Sequence, residues 1–375
     1  MAVTTTTRTV PFLDLAPVHA PLRERLLADL ADLIDSGAFS NGPAVGEFER
    51  AFAEYCGVEH CIGVSSGLAA LRLGLLATGI EPGAEVVVPA MTFVATLESV
   101  TQAGGVPVVV DVSAADYCMD PVCVAAAIGP RTHALMPVHL YGQMADMTRL
   151  RDLADDNGVA IVEDAAQAHG AERDGLRAGA VGHAAAFSFY PGKNLGAAGD
   201  AGALVTDDRD LAVRMRALRE HGQTAKYVHA YQGWTARLDT IQALVLGRKL
   251  PHLDGWNEQR QAAAGFYAAT LDGVGDLVLP PVPAGSAPVW HVYVVRTAHP
   301  VALADFLRER GIGTGRHYPD PVHLTEAWAH LGHAHGSFPV AEALARECLS
   351  LPMFPGITEA QLATVAATVR AFFDD

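Results

Sequence analysis

The stretch AAAFSFYPGKNLGAAGDAGALVTD, residues 184–207, contains two strand-like apolar runs joined by a Pro-Gly turn and a glycine-rich segment. Similar runs precede it along the chain: CIGV (61–64), EVVVP (85–89), VPVVVDV (106–112), HALMPV (133–138) and VAIVED (159–164). Helix-length segments separate most of these runs. Strands that alternate with helices are typical of a buried, mostly parallel sheet. The sequence therefore predicts an α/β fold with about seven strands.

The spacing of apolar residues also predicts helices at 66–78 and 146–157. A longer helical pattern runs from about 237 to 271, and Pro251 should kink or break it. After the prolines near 280–288, the strand-like run VWHVYVVR, a helix at 301–310 and the turn GIGTG indicate a smaller α+β domain. We expect a large domain at 1–250 and a small C-terminal domain at 251–375.

Composition excludes several classes of protein. The 375 residues include 26 Lys and Arg against 42 Asp and Glu, a formal charge of −16, and half of them are apolar. This apolar content excludes disorder, and the acidic balance argues against a nucleic-acid scaffold. The N-terminal stretch MAVTTTTRTVPFLDL lacks the apolar core of a signal peptide, and no apolar run is long enough to span a bilayer. We expect a cytoplasmic protein that contacts neither membrane nor nucleic acid.

The cysteines are odd in number and show no CxxC spacing. We expect reduced core thiols in strands and helices, rather than a disulfide or a metal site. They are Cys56, Cys61, Cys118, Cys123 and Cys348.

Lys193 is one of only three lysines and lies in the apolar, glycine-rich segment FSFYPGKNLGAAGDAGAL. A lysine in a turn is ordinarily a surface residue. A lysine sheltered among Gly, Ala and aromatic residues also suits Schiff-base chemistry, because desolvation makes the amine nucleophilic.

Asp164 ends the apolar run in VAIVEDAAQAHGA (159–171). It could simply cap a helix. In an α/β sheet, however, ligands bind outside the carboxyl ends of strands, so Asp164 and Lys193 can face one crevice. Pyridoxal phosphate (PLP) needs this pair: a lysine that forms the imine, and a carboxylate that keeps the pyridine nitrogen protonated.

Two weaker signals complete such a pocket. In GVSSGLAALRL (63–73), Ser65, Ser66 and Gly67 lie between a strand and a helix, where free N–H groups and a hydroxyl can bind phosphate. A simple helix cap is the ordinary interpretation of that pattern. In PAMTFVATLESV (89–100), Phe93 could stack on a planar ring, although an aromatic residue after a strand is more often part of the core.

Several motifs, in order along nearly the whole chain, resemble the DegT/StrS family of sugar aminotransferases: SSGLAAL, PAMTFVAT, EDAAQAHGA, SFYPGKNLGAAGDAGA, ARLDTIQA and LSLPMFP. The resemblance implies PLP as cofactor, cycling through pyridoxamine phosphate, and the type I aminotransferase fold. It implies that Lys193 binds the cofactor and moves the proton, and that Asp164 pairs with the ring nitrogen. Gln167 would contact the phenolic oxygen of the ring, and Phe93 would stack on it.

The phosphate would be held by Ser188 together with Ser66, Gly67 and Leu68. The family often has Thr where this chain has Leu68, so only the backbone N–H remains there. It also often has an Asn, reaching the phosphate from a neighbouring subunit, where this chain has Thr235. Thr can still donate a hydrogen bond.

GRHYPDPVHL (315–324) resembles the family's segment that approaches the sugar, although a rigid, exposed proline-rich loop is the alternative. The expected substrate contacts are His317, Tyr318, Tyr190 and Arg237. Family members are dimers with shared active sites, which implies that the segment around Thr235 and Arg237 acts in its partner's site.

The resemblance implies transfer of an amine from glutamate or glutamine to carbon 3 or carbon 4 of a dTDP-linked keto-6-deoxysugar, for a secondary metabolite. Tyr190 stands where many relatives that act at carbon 4 have His, which favours carbon 3. A keto-cyclitol aminotransferase is the alternative within the family. A non-catalytic regulatory or binding protein is the other, and the retention of Lys193, Asp164 and Gln167 argues against it.

Overall fold

The computed structural model describes residues 9–374. Residues 1–8, part of the stretch used to exclude a signal peptide, lie outside this range. The strands are β1 (His60–Val64), β2 (Glu85–Pro89), β3 (Val106–Val110), β4 (Thr132–Leu135), β5 (Ala160–Asp164), β6 (Glu172–Arg173), β7 (Leu176–Arg177), β8 (Ala184–Ser188), β9 (Gly202–Thr206), β10 (Gln223–Ala225), β11 (Val228–His229), β12 (Ser286–Ala287), β13 (Tyr293–Arg296) and β14 (Cys348–Leu351).

The predicted sheet has seven strands in the order β1-β9-β8-β5-β4-β2-β3. The pairings among β8, β5, β4, β2 and β3 are parallel, whereas β9 is antiparallel to both of its neighbours. Residues 189–201 connect β8 to β9 without a helix, whereas the connection between parallel neighbours usually contains one. The mostly parallel sheet is confirmed, and β9, the second strand of the stretch 184–207, is its antiparallel exception.

The helices are α1 (Ala16–His19), α2 (Arg23–Ser36), α3 (Pro43–Cys56), α4 (Gly67–Ala77), α5 (Ala95–Gln102), α6 (Pro121–Ala127), α7 (Met147–Asn157), α8 (Arg209–Arg219), α9 (Thr240–Lys249), α10 (Leu253–Leu271), α11 (Pro300–Glu309), α12 (Pro339–Glu347) and α13 (Glu359–Asp374). The long helical pattern begins at Thr240 rather than near 237, and a 3₁₀ turn at Leu250–His252 divides it into α9 and α10. Pro251 in this turn interrupts the helix as predicted, because it has no N–H to donate.

A separate apolar core forms from α10, β13, α11, β14 and α13, with Tyr267, Tyr293 and Leu349 fully buried within it. Val10, near the start of the described chain, packs into the same core and pairs with Ile312. The segment around Val10 is therefore attached to the C-terminal core. The domain boundary near residue 250 stays a prediction.

The cysteines are free thiols, and four of the five are buried. Two details of the prediction are wrong. Cys118 lies in a bend between Val112 and Met119 rather than in a strand or helix, and Cys123 is only partly buried.

Within residues 9–374, no helix combines the length and the apolar character that a bilayer crossing demands.

Candidate active site

Asp164 and Lys193 lie at the same edge of the seven-stranded sheet. Asp164 is the last residue of β5, and Lys193 follows the neighbouring strand β8, which ends at Ser188. β5 and β8 run parallel, with Asp164 paired to Ala186. The charges of Asp164 and Lys193 each act on the pKa of the other group. The carboxyl ends of these strands thus bring the two residues together, as the sequence predicts.

Asp164 is a buried carboxylate, 6% exposed. Thr96 Oγ1 donates to its Oδ2 at 2.9 Å, and the N–H of Ala166 donates to its Oδ1 at 3.2 Å. Burial raises the pKa of Asp164, whereas these two donors and the charge of Lys193 act to lower it. A cationic ring nitrogen placed against this carboxylate would favour its charged form in the same way.

Lys193 leaves a tight turn in which its N–H donates to the C=O of Tyr190 at 2.8 Å. The residue is partly buried rather than a free surface lysine. Burial lowers the pKa of its amine to about 8, and the Asp164 carboxylate opposes part of this shift. A fraction of the amine is therefore uncharged and nucleophilic near neutral pH. Tyr190, in contrast, is 59% exposed.

Three imidazoles near Lys193 are held in the neutral form. Burial lowers the pKa of His169 to about 3 and that of His317 to about 4, and the charge of Lys193 adds to both shifts. The same causes, burial first, hold the pKa of His291 well below its usual value. When Lys193 is protonated, it is therefore the only cation among these four groups. Of the three, sequence reasoning selected only His317.

The turn before α4 has the form of an anion site. Ser66 caps the helix, with its Oγ accepting from the N–H of Ala69 at 3.1 Å. The N–H groups of Gly67 and Leu68, in the first turn, have no acceptor within the helix. A Cβ on Gly67 would lie 2.7 Å from the Cβ of Ser188. Only glycine allows the turn to approach Ser188 this closely, so donors from two elements meet here, a set that suits phosphate.

Gln167 and Phe93 approach the crevice from other elements. Gln167 Oε1 accepts from the N–H of Tyr141 at 2.7 Å, and its Nε2 donates to the hydroxyl of Tyr318 at 3.1 Å. The ring of Phe93 is 53% exposed, and its centroid lies 5.7 Å from that of Tyr318. The core interpretation of Phe93 is therefore wrong, and its face is available to a planar ligand.

His317 and Tyr318 are held by contacts with several elements, so the interpretation as an exposed loop is wrong. His317 Nδ1 lies 2.8 Å from the Oγ of Ser350 in β14, and its ring stacks on Phe12 at a centroid distance of 5.6 Å. The hydroxyl of Tyr141 donates to the C=O of His317. The small C-terminal core thus presents this segment to the crevice.

The structure places Thr235 and Arg237 beside the anion site without directing them into it. The backbone between them accepts a hydrogen bond from the N–H of Ser65 at 3.0 Å. The Oγ1 of Thr235, however, lies 2.7 Å from His221 Nε2, and Arg237 Nη1 donates to Glu220 Oε1 at 2.9 Å.

Sequence reasoning missed Thr92 and Thr96, although both lie in the motif quoted for Phe93. Their hydroxyl oxygens are 2.7 Å apart, and Thr96 in turn donates to Asp164. An ionised carboxylate only accepts, so Thr92 must donate to Thr96. Two hydroxyl residues four positions apart at the start of a helix were the available signal.

Glu163 was also missed. It is fully buried and accepts hydrogen bonds from His139 Nε2 at 2.7 Å and from the N–H groups of Gly179, Val181 and Gly182. The N–H of His139 donates to the C=O of Asp164 at 3.0 Å. These contacts fix the end of β5. A second acidic residue, directly before Asp164 in a strand whose other residues are apolar, was the signal.

The crevice therefore contains a buried carboxylate, an amine with a lowered pKa, a turn with the form of an anion site and an exposed aromatic face. This donor set fits PLP. The chain matches the DegT/DnrJ/EryC1/StrS aminotransferase family over residues 21–370. It belongs to that family.

Similar proteins extend over nearly the whole chain. It is 48% identical over 361 residues to the dTDP-3-amino-3,4,6-trideoxy-alpha-D-glucose transaminase of Streptomyces venezuelae, covering 96% of this chain and 95% of the relative. The crystal structure of S. venezuelae DesV in complex with a ketimine intermediate superposes with a TM-score of 0.96, at 47% identity and with 98% and 99% of the two chains covered. NtdA from Bacillus subtilis, with bound cofactor PMP, gives a TM-score of 0.90 at 29% identity, with 98% and 86% covered.

The type I aminotransferase fold and the aminotransferase activity predicted from the sequence are confirmed by these similarities. PLP as the cofactor is confirmed at the level of the family. The chain is an enzyme, so the alternative of a non-catalytic binding protein is wrong.

Proposed function

We propose that this enzyme transfers an amine from glutamate or glutamine to carbon 3 of a dTDP-linked keto-6-deoxysugar, in the biosynthesis of an aminosugar for a secondary metabolite. The observation that carries the proposal is the Asp164–Lys193 pair beside the anion-binding turn, in a chain 48% identical to a dTDP-3-amino sugar transaminase. The name of that relative supports carbon 3, which Tyr190 also favours.

Asp164 and Lys193 have different roles in the reaction. When bound, PLP supplies an electron sink for the negative charge that develops at the carbon bearing the amine. Asp164 holds the proton on the ring nitrogen, and Thr96 keeps the carboxylate oriented. Lys193 Nζ would hold the cofactor between turnovers and, once free, would accept and return the proton of the substrate carbon. Its pKa of about 8 allows it to take up and release that proton near neutral pH.

Other residues hold and orient the cofactor. Ser66, Gly67, Leu68 and Ser188 bind the phosphate through hydroxyl and N–H donors, and a charge-assisted hydrogen bond of this type is stronger than a neutral one. Gln167 would donate to the phenolic oxygen of the ring.

Phe93 would cover one face of the bound ring and exclude water from it. His317 and Tyr318 approach the sugar from the small C-terminal core, and Tyr190 contacts it from the Lys193 turn.

The working unit is proposed to be a homodimer with shared active sites. The exposed apolar side chains of Leu27 and Ile34, seven positions apart on one face of α2, and of Phe39 just beyond the helix support a contact between copies, because an apolar stripe on an exposed helix face is typical of an interaction surface. Thr235 and Arg237 would then reach the partner's site, Thr235 at the phosphate and Arg237 at the substrate. Within one copy, the side chains of Thr235 and Arg237 are hydrogen-bonded to His221 and Glu220 and make no hydrogen bond with Lys193 or Ser188.

The keto-cyclitol alternative has no support among the similar proteins described, whereas a nucleotide-sugar substrate has. The proposal is tested with glutamate and a panel of dTDP-keto-sugars that differ in the position of the ketone, with products identified by mass spectrometry and NMR. We expect amination of the 3-keto sugar, formation of 2-oxoglutarate, and no turnover by Lys193→Ala. Amination of the 4-keto sugar or of a keto-cyclitol instead would refute the assignment.

A further inference from the structure

Lys249 is a buried lysine that the reaction described above does not use. It is the last residue of α9, and only 2% of it is exposed. No carboxylate among residues 9–374 contributes to its pKa, which burial alone lowers to about 8. A buried amine without an ion pair is costly, and an apolar residue of similar length would avoid that cost. The amine therefore calls for a specific explanation.

The Nζ of Lys249 donates to the C=O of Gly196 at 2.6 Å. Gly196 lies three residues after Lys193, in the turn that leaves β8. A Cβ at Gly196 would be 2.3 Å from the C=O oxygen of Pro191, so the turn is wound tightly upon itself. The N–H of Ala197 closes it by donating to the C=O of Phe189 at 2.8 Å. A carbonyl held at position 196 thus limits where Lys193 can lie.

Two further side chains, one from α9 and one from the following helix α10, hydrogen-bond to the same turn. Asn257 of α10 accepts from the amide of Asn194 at 2.9 Å, and Gln242 of α9 accepts from the N–H of Ala198 at 2.8 Å. Residues 194, 196 and 198 are thus each tied to α9 or α10. Lys249 makes the central contact, and it is the only charged member of the three.

We propose that Lys249 is a positioning residue for the reaction: by holding the carbonyl of Gly196 it fixes the backbone of Lys193 at the distance and angle that the cofactor requires. It touches neither cofactor nor substrate. This inference rests on the proposed role of Lys193. A displacement of about 1 Å at a reacting group is enough to reduce a rate by as much as a hundredfold.

The test compares Lys249→Met and Lys249→Gln with the wild-type holoenzyme. Met removes both the charge and the donor, whereas Gln removes the charge and keeps an N–H donor. The first readout is the pH midpoint of the visible absorbance change of the bound cofactor, which reports on the bond to Lys193. We expect Lys249→Met to shift this midpoint by about half a unit or more, and Lys249→Gln to shift it less. The second readout is kinetic: Lys249→Met should lower kcat about tenfold and change KM for the sugar by less than about twofold.

Arg248→Met is the matched control. It removes the neighbouring cation of α9 and its bond to Asp29 at 2.9 Å, and should cost stability without moving the midpoint or kcat. If Lys249→Met does not fold, Lys249→Leu replaces it. An unchanged midpoint in the folded apolar variant would overturn the proposal. Equal shifts in that variant and in Lys249→Gln would also overturn it, because charge alone would then explain the effect. Failure of the wild type to form a visible band with PLP would instead refute the proposed function.

Discussion

Thr96→Val removes the hydroxyl that donates to Asp164 and leaves a side chain of nearly the same shape. Both partners are buried, with Thr96 fully inaccessible and Asp164 6% exposed, and the hydrogen bond is 2.9 Å long. No water can readily replace the lost donor. Thr92, which donates to Thr96, loses its acceptor in the same step. The substitution therefore acts on the charged form of Asp164 with little change in packing.

The magnitude follows from the charge on the acceptor. A hydrogen bond to a charged group contributes about 1.5–3 kcal/mol. If the whole of this is lost from the ionised form, the pKa of Asp164 rises by about one to two units. Catalysis requires the ionised carboxylate, so the acid limb of the pH–rate profile should move to higher pH by that amount. At a fixed pH within the limb, kcat/KM for glutamate should fall about tenfold to a hundredfold.

The assay is the rate of the first half-reaction, followed as the loss of the visible band after mixing with glutamate, across the accessible pH range. Ser99→Ala is the control, because Ser99 Oγ donates to the backbone C=O of Thr96 at 2.7 Å without contacting Asp164. The control should leave the acid limb unmoved. An acid limb of Thr96→Val that coincides with that of the wild type, with kcat/KM within about twofold, would refute the assigned role of the hydroxyl.

Other substitutions test the remaining parts of the account. Mixing inactive Lys193→Ala with Arg237→Ala and allowing subunits to exchange should restore up to about one quarter of wild-type activity, because half the dimers would be mixed and each would have one intact site; no recovery after proven exchange would contradict sites shared between subunits. Glu163→Gln should lower the free energy of unfolding by about 3 kcal/mol at neutral pH, since one partner of a buried charged contact is lost. The pKa of Glu163 is lowered in the folded state despite burial, so its contribution exists above the ordinary value of 4.5 and disappears as pH falls through the folded value; urea titrations that show a pH-independent difference would contradict this. Gly67→Ala should weaken PLP binding about tenfold, because its Cβ would lie 2.7 Å from that of Ser188; an unchanged PLP dissociation constant would count against the anion site.

The sheet and the position of its site could be predicted because they depend on local pattern. Apolar runs of strand length, separated by helices, give the layers, and the carboxyl ends of β5 and β8 then place Asp164 and Lys193 together. The reversed direction of β9 was also readable in principle, since residues 189–201 are rich in glycine and show no helix pattern, and parallel strands are usually joined through a helix. Helix spacing alone could not set the start of α9 at Thr240.

The contacts that tune the site were not readable from local pattern. Thr96 and Asp164 are 68 residues apart, and Lys249 and Gly196 are 53 apart. Pairs of this kind form only when packed elements meet, and neither periodicity nor spacing encodes which side chains face each other. The lowered pKa values of His169 and Lys193 depend on burial in the same way.

The visible absorption spectrum of the purified protein, recorded with PLP before and after the addition of glutamate, tests the central claim most directly. The account predicts a band from PLP bound to Lys193, which glutamate bleaches as the amine is transferred, and which Lys193→Ala does not form. A protein that remains colourless with PLP, or a band that glutamate leaves unchanged while glutamine and other amino donors also have no effect, would contradict the assignment of Lys193 and Asp164 as the catalytic pair.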